Sequence, residues 1–364
     1  MAITILLTAA ILAGCRASEH APEPAGTVAG DTPASAPPNP NPIDFLADNR
    51  IARRPDIAPP PKRACVDEIL ANTEIVEDTV ICPGAYSFFS NPGDALFRLS
   101  RSNVHLYGRD VSIKDVNGHA TAISISLGDG ETEPIRNLRV EGFQLTNFDT
   151  GVRASSPVED VTFSLLSISR SRSMHIEIGG GALESTRPFE SARVRLENII
   201  TEDSALQGIS CTNCVDSELF NVRSYSNVNE SVESNIALHG GARNKIRRAI
   251  VVHRNAGSGC NGIWLDKTTG ARVTGSLIEV APNKDGTHIY GSRDVVFERN
   301  EIRSRGNVID VVDSENVRFT DNVFRIGVLR EKRSCLRLEK NLFLGGAWHD
   351  KQGRSTCESE KREK

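Results

Sequence analysis

Val317-Arg318-Phe319-Thr320-Asp321-Asn322-Val323-Phe324 reads as two short strands around a polar corner. The apolar residues alternate on either side of Asp321-Asn322, so each arm turns one face inward. The same frame recurs at Val104 to Val111, Leu138 to Leu145, Val161 to Ile168, Val194 to Thr201 and Val295 to Ile302, and less cleanly around Leu219, Ile246 and Val273. Anchored on Leu106, Val140, Phe163, Leu196, Leu219, Ile246, Val273, Phe297 and Phe319, the copies are 34, 23, 33, 23, 27, 27, 24 and 22 residues apart. The two long spacings read as a repeat carrying an inserted loop.

A second short strand follows the anchors with the same alternation. Its copies are Val152-Arg153-Ala154, Ile176-Glu177-Ile178, Ile209-Ser210-Cys211, Ile236-Ala237-Leu238, Ile263-Trp264-Leu265, Ile289-Tyr290-Gly291 and Ile309-Asp310-Val311. A chain that returns to one short motif at this period cannot bury its apolar face within a single copy, so it stacks the copies. Each strand then lies about 4.8 Å from its counterpart in the next rung, in parallel register. A β-sandwich with regularly spaced strands is the competing fold, but it has no reason to keep a two-strand frame in step over nine copies.

These residues resemble the right-handed parallel β-helix of the pectin-lyase-like superfamily, over roughly residues 65 to 344. The resemblance implies an all-β, single-stranded solenoid of about nine or ten rungs. Gly108, Gly142, Asn198, Asn221, Asn300 and Asn322 near the corners fit its turn chemistry, since Gly and Asn tolerate left-handed backbone. Thr73 to Tyr86 is similar to the family's first rung. Open sheet ends invite aggregation. Ala64 to Ala71 is therefore expected to form a short capping helix, and Leu336 to Trp348 to close the other end.

The domain plan has four parts: a signal at 1–14, a lipidated cysteine with a linker at 15–63, the β-helix at 64–348 and a charged tail at 349–364. Residues 1–14 are apolar and uncharged and run into Leu12-Ala13-Gly14-Cys15, which resembles a bacterial lipobox. By that resemblance Cys15 carries the lipid that holds the protein on a membrane of the bacterial cell envelope. The outer-membrane, periplasmic and surface faces all stay open. The signal departs from the pattern in having no Lys or Arg before its apolar run. Between Cys15 and Arg63 lie 11 of the 17 prolines, the composition of an extended, semi-rigid tether.

Over 364 residues the hydrophobic share is 38%, or about 46% with the 29 glycines counted, within the globular range. Lys and Arg total 43 against 47 acidic residues. A net charge of −4 argues against a nucleic-acid partner. A monomer is expected. Without Cys15, seven cysteines remain, an odd number that predicts at least one free thiol. An exported chain can keep disulfides. Cys65 with Cys82 would staple the cap to the first rung, and Cys335 with Cys357 would pin the C-terminal segment. Cys211-Thr212-Asn213-Cys214 has CxxC spacing but no second pair to complete a zinc site, so it reads as a local disulfide or a buried thiol.

Solenoids place function on outward side chains stacked in columns. Taking the first inward residue of each second strand as position zero, column +1 reads Arg153, Glu177, Ser210, Ala237, Trp264, Tyr290, Asp310. Column +3 reads Ser155, Gly179, Thr212, His239, Asp266, Ser292, Val312. The richest patch holds His239, Trp264, Asp266, Lys267 and Tyr290, with His288 just before it. Trp264 and Tyr290 suit stacking on sugar rings, and Arg153, Glu177 and Asp310 extend the binding wall. Uronate β-elimination needs a cation at the substrate carboxylate, a base and an acid, roles that fit Lys267, His239 and Tyr290, with Asp266 orienting His239. Each of these residues taken singly is also an ordinary member of a solvated sheet face.

Glycoside hydrolysis fits less well. Asp266 and Asp310 come out about 12 Å apart, beyond the ~5 to 9.5 Å that paired carboxyls need. No paired-aspartate motif like that of polygalacturonases occurs, nor an Asp-Pro-His-Asp stretch like that of alginate epimerases. No cofactor or metal is implied, and whether calcium takes part is left open. Two functions therefore compete: a polysaccharide-binding protein, lyase-like if catalytic, and a non-catalytic envelope scaffold or surface adhesin that presents a β-helix face to a partner.

Overall fold

The computed structural model describes residues 64–128, 132–179, 189–226, 234–254, 261–281, 284–346 and 348–352. The described residues are all β, coiled as a right-handed parallel β-helix. All nine anchors fall in one pairing column, running Leu106, Val140, Phe163, Leu196 and on to Phe319. Thr79 precedes them and Leu338 follows. Of the two long spacings, the one from Leu106 to Val140 contains a register shift between Tyr107 and Val111, whereas the one from Phe163 to Leu196 keeps its register on both strands.

Each rung contributes to two main walls. The anchor strand and the strand after its corner stack into one extended ladder, and the second strands stack into a separate 12-stranded parallel sheet. A short four-stranded ladder joins the walls on the N-terminal side, and single bridges from Val215 to Glu315 continue it. Inward residues make one continuous apolar core, with Phe97, Phe143, Phe163, Phe297, Phe319 and Phe324 fully buried. Phe297 and Phe319 lie 5.2 Å apart and tilted, within the separation at which aromatic pairs attract.

The corners work in two ways. Asn198 and Asn221 adopt left-handed backbone as expected, at φ 55° and 51°. At the equivalent corners further on, Arg299 and Asp321 take the left-handed position instead. Asn300 and Asn322 are buried beside them, Asn300 donating to Asn322 and Asn322 to Asn341, each at 3.0 Å. A buried amide stack of this kind satisfies polar groups that the corner would otherwise strand. Gly108 is needed for space, since a Cβ there would sit 2.2 Å from the ring of Phe143.

The ends differ from expectation. Ala64 to Ala71 forms no helix: Val66 bridges to Ile81 in parallel, and the segment is pinned by the Cys65–Cys82 disulfide. Pairing with the first rung satisfies its backbone groups more directly than a detached helical turn would. At the other end Leu336–Glu339 and Leu342–Leu344 add a further rung rather than a cap, and strand Trp348–Gln352 continues the 12-stranded sheet past position 348. Cys211 and Cys214 form the local disulfide. Cys335 is also disulfide-bonded, and no cysteine is free among the described residues. Cys15, Cys260 and Cys357 lie outside the described residues, as do the signal and linker.

Candidate functional site

The site lies on the outer face of the 12-stranded sheet, where Ser234–His239, Asn261–Asp266, Asp285–Tyr290, Asn307–Val312 and Val328–Lys332 stack in order. Pairing fixes which side chains share a column. Ala237, Trp264, His288, Asp310 and Arg330 form one outward column, and Thr212, His239, Asp266, Tyr290 and Val312 form the next.

This corrects the expected map at a single rung. Tyr290 belongs to the column of His239 and Asp266, not to that of Trp264, and Ser292 drops out of the column altogether. The inward position that pairs with Ile263 and Ile309 is filled by Thr287, a fully buried polar residue. A search for apolar starts passes over it and settles on Ile289, two residues late. His288 therefore takes the place expected for Tyr290, and it was this residue that the sequence undervalued.

His288 is the centre of a charge network. Its Nδ1 lies 3.1 Å from Asp310 Oδ2 and 3.7 Å from Asp285 Oδ2. Arg330 donates to both Asp310 oxygens, from Nε at 2.7 Å and from its terminal nitrogen at 2.5 Å. Burial works against a charged ring here, but hydrogen bonds to Asp285 and Asp310 outweigh it and push His288 up to about 9. Burial likewise opposes the charge on Asp310, and Arg330 and His288 hold that carboxyl below its usual range all the same. By contrast, the buried His175 and His253 are driven down by desolvation to about 3 and about 4.

Asp285, His288 and Asp310 also bring three ligand-type atoms within 4.8 Å of one another. A cation entering there would have to displace both Arg330 and the ring proton. The donor set is therefore already committed to an ion-pair network.

Through His288 the network joins a ladder of rings. His239 meets Trp264 edge-on at 4.9 Å, Trp264 meets His288 edge-on at 6.4 Å, and His288 lies nearly parallel to Tyr290 at 6.4 Å. Ala237, the neighbour of Trp264 in its column, leaves room for the indole. His239 Nδ1 is 3.8 Å from Asp266 Oδ2, so the expected pairing of these two is present. Tyr290 and Lys267 are exposed. Lys267 occupies a left-handed corner at φ 53° between Gly240 and Gly291 of the neighbouring rungs, and it makes no ion pair among the described residues.

Arg153 and Glu177 do not join this cluster. Arg153 Nε donates to Glu177 at 2.7 Å, and Glu177 stands three rungs from Trp264, about 14 Å along the axis. Asp310 is 2% exposed and engaged by His288 and Arg330, so it lies beneath the surface and does not line it.

No protein-family model matches the chain, and no curated protein matches it. Solved structures do. The A-module of mannuronan C-5 epimerase AlgE4 from Azotobacter vinelandii superposes with a TM-score of 0.52 at 14% identity, covering 78% of this chain and 90% of its own. PfbA, a surface adhesin of Streptococcus pneumoniae, gives 0.48 at 12% identity over 77% and 86% of the two chains. The periplasmic alginate epimerase AlgG gives 0.45 at 10% identity over 76% and 84%. The rung-by-rung pairing, together with the likeness to the AlgE4 module, makes this chain a right-handed parallel β-helix protein.

Proposed function

We propose that the outer face of the 12-stranded sheet binds an acidic polysaccharide and cleaves it by β-elimination. The observation that carries this is the convergence of His239, Asp266, Trp264, Tyr290 and Lys267 on three adjacent rungs. Trp264 and Tyr290 supply ring faces for sugars. Lys267, an exposed cation flanked by glycine corners, neutralises the uronate carboxylate and so acidifies the adjacent C–H. His239, oriented by Asp266, takes that proton. The carbon–carbon double bond forms as the bond to the glycosidic oxygen breaks, and the Tyr290 hydroxyl gives its proton to the leaving oxygen. His288 is the charged member of the ring ladder, between Trp264 and Tyr290. The likeness of fold to a mannuronan epimerase module is compatible with a polyuronate substrate. In this reading Cys15 anchors the protein by lipid at the cell envelope, with the proline-rich tether between anchor and solenoid.

The test is to incubate the protein with a panel of polyuronates, with and without calcium, and follow the ultraviolet absorbance of unsaturated uronates. Activity in the parent that is lost in His239→Ala and in Tyr290→Phe is expected. No signal on any polymer would overturn the elimination chemistry. Retained binding that disappears in Trp264→Ala would then favour the scaffold or adhesin reading, which the outward Trp264 and Tyr290 support by themselves.

A further inference from the structure

The anchor strands present a second outward face, on a wall separate from the 12-stranded sheet. In its N-terminal half the cations of the leading column are neutralised within their own strands. Arg139 pairs with Glu141 at 3.1 Å and Arg195 with Glu197 at 3.4 Å. In the C-terminal half they are not. Lys245, Arg272, Arg318 and Arg337 share that column, interrupted only by Val296; Lys245 stands beside Glu218 and acts on Asp216, while Arg272, Arg318 and Arg337 make no ion pair among the described residues. Arg318 is half-buried, and its Nε finds no hydrogen-bond acceptor.

Like charges at rung spacing repel, and the fold displays its own remedy a few rungs away. Along this stretch it is not applied. The four cations run about 19 Å in single file, at steps of ~4.8 and ~9.6 Å. Glu298 and Glu339, two residues further along the strands of Val296 and Arg337, border the file on one side.

We infer that this stripe is a binding track for a linear acidic polysaccharide, distinct from the site on the 12-stranded sheet. A chain with one carboxylate or sulfate per sugar can follow the file of cations, whereas a broad anionic surface such as a bilayer or a duplex would also press on Glu298 and Glu339. The stripe presents no aromatic platform of the sort that single-stranded nucleic acids stack on. The inference stands apart from the elimination chemistry, because it concerns a different face and needs no turnover.

The experiment measures binding of the full chain to immobilised polygalacturonate across a salt series, with dextran as the neutral control. The triple variant Arg272→Gln, Arg318→Gln, Arg337→Gln is expected to bind about tenfold to a hundredfold more weakly at low salt and to lose most of the salt dependence. Arg195→Gln, whose cation is already paired, is expected to bind as the parent does. Trp264→Ala should keep the salt-dependent component, which separates this track from the other face. Unchanged thermal melting of the triple variant would assign its loss to binding and not to folding. The inference is overturned if the triple variant binds like the parent, or if parent binding is indifferent to salt. Equal parent binding to anionic phospholipid vesicles or to duplex DNA, lost in the triple variant, would also overturn it.

Discussion

Two stretches of one outward column show how the same backbone yields different surfaces. In the N-terminal half of the 12-stranded sheet, Arg153 and Glu177 form a half-buried pair, followed by Ser210 and Ala237. Further along, Trp264, His288, Asp310 and Arg330 fill the same positions. The first pair is local, and its arginine still reaches solvent. The second group sinks a carboxylate to 2% exposure, sets a cation on each side of it, and continues from His288 into contacts with Trp264 and Tyr290. Depth separates the two, since charges partly screened by water contribute little while a carboxylate shut away from water depends on the cations that pair with it.

The sharpest way to break this contrast is Asp310→Asn. Taking the shared anion from between His288 and Arg330 should lower the unfolding free energy by about 3 to 5 kcal/mol, measured by denaturant titration. A loss no larger than that of an exposed pair would mean that the two stretches are alike.

The pH dependence comes next. Because the pKa of folded His288 is raised from 6.5 to about 9, its stabilising contribution is complete below about pH 6.5 and is lost as pH climbs through about 9. The whole change is about 3 kcal/mol, from the shift at 1.36 kcal/mol per unit. His288→Gln should flatten that part of the stability profile. The lowered Asp310 pKa acts at the opposite end, where its contribution is present above the usual carboxylate range and lost as acid protonates it.

The smallest effect belongs to the first stretch. Glu177→Gln should cost about 1 kcal/mol and less in salt, because the Arg153 end of the pair is screened by water. A cost comparable to that of Asp310→Asn would show that Arg153 and Glu177 are also a structural centre.

The anchors were legible because an inward Leu, Val or Phe every rung is what the apolar core selects, and loops of any length can be inserted without disturbing it. The column of the candidate site was legible except where Thr287 stands in an aliphatic stack, since Thr fills nearly the volume of Val but carries no hydrophobic signal. That one residue hid His288. Asp310 was visible as a residue but not as a buried one, because its cover comes from Arg330 on the following rung. The N-terminal segment was misjudged for a related reason. Residues Ala64 to Ala71 look helical in isolation, and the first rung that offers Val66 its backbone partner cannot be seen in their local sequence.

The glycine corners on either side of Lys267 have a kinetic meaning beyond the space they leave. With Gly240 and Gly291 as its neighbours, Lys267 has no side chain on the adjacent corners of its column, and its Cγ lies 3.3 Å from where a Cβ on Gly291 would stand. In the proposed polysaccharide reading, a lysine that leans over Gly291 toward the next rung would meet a sliding polymer at more than one sugar.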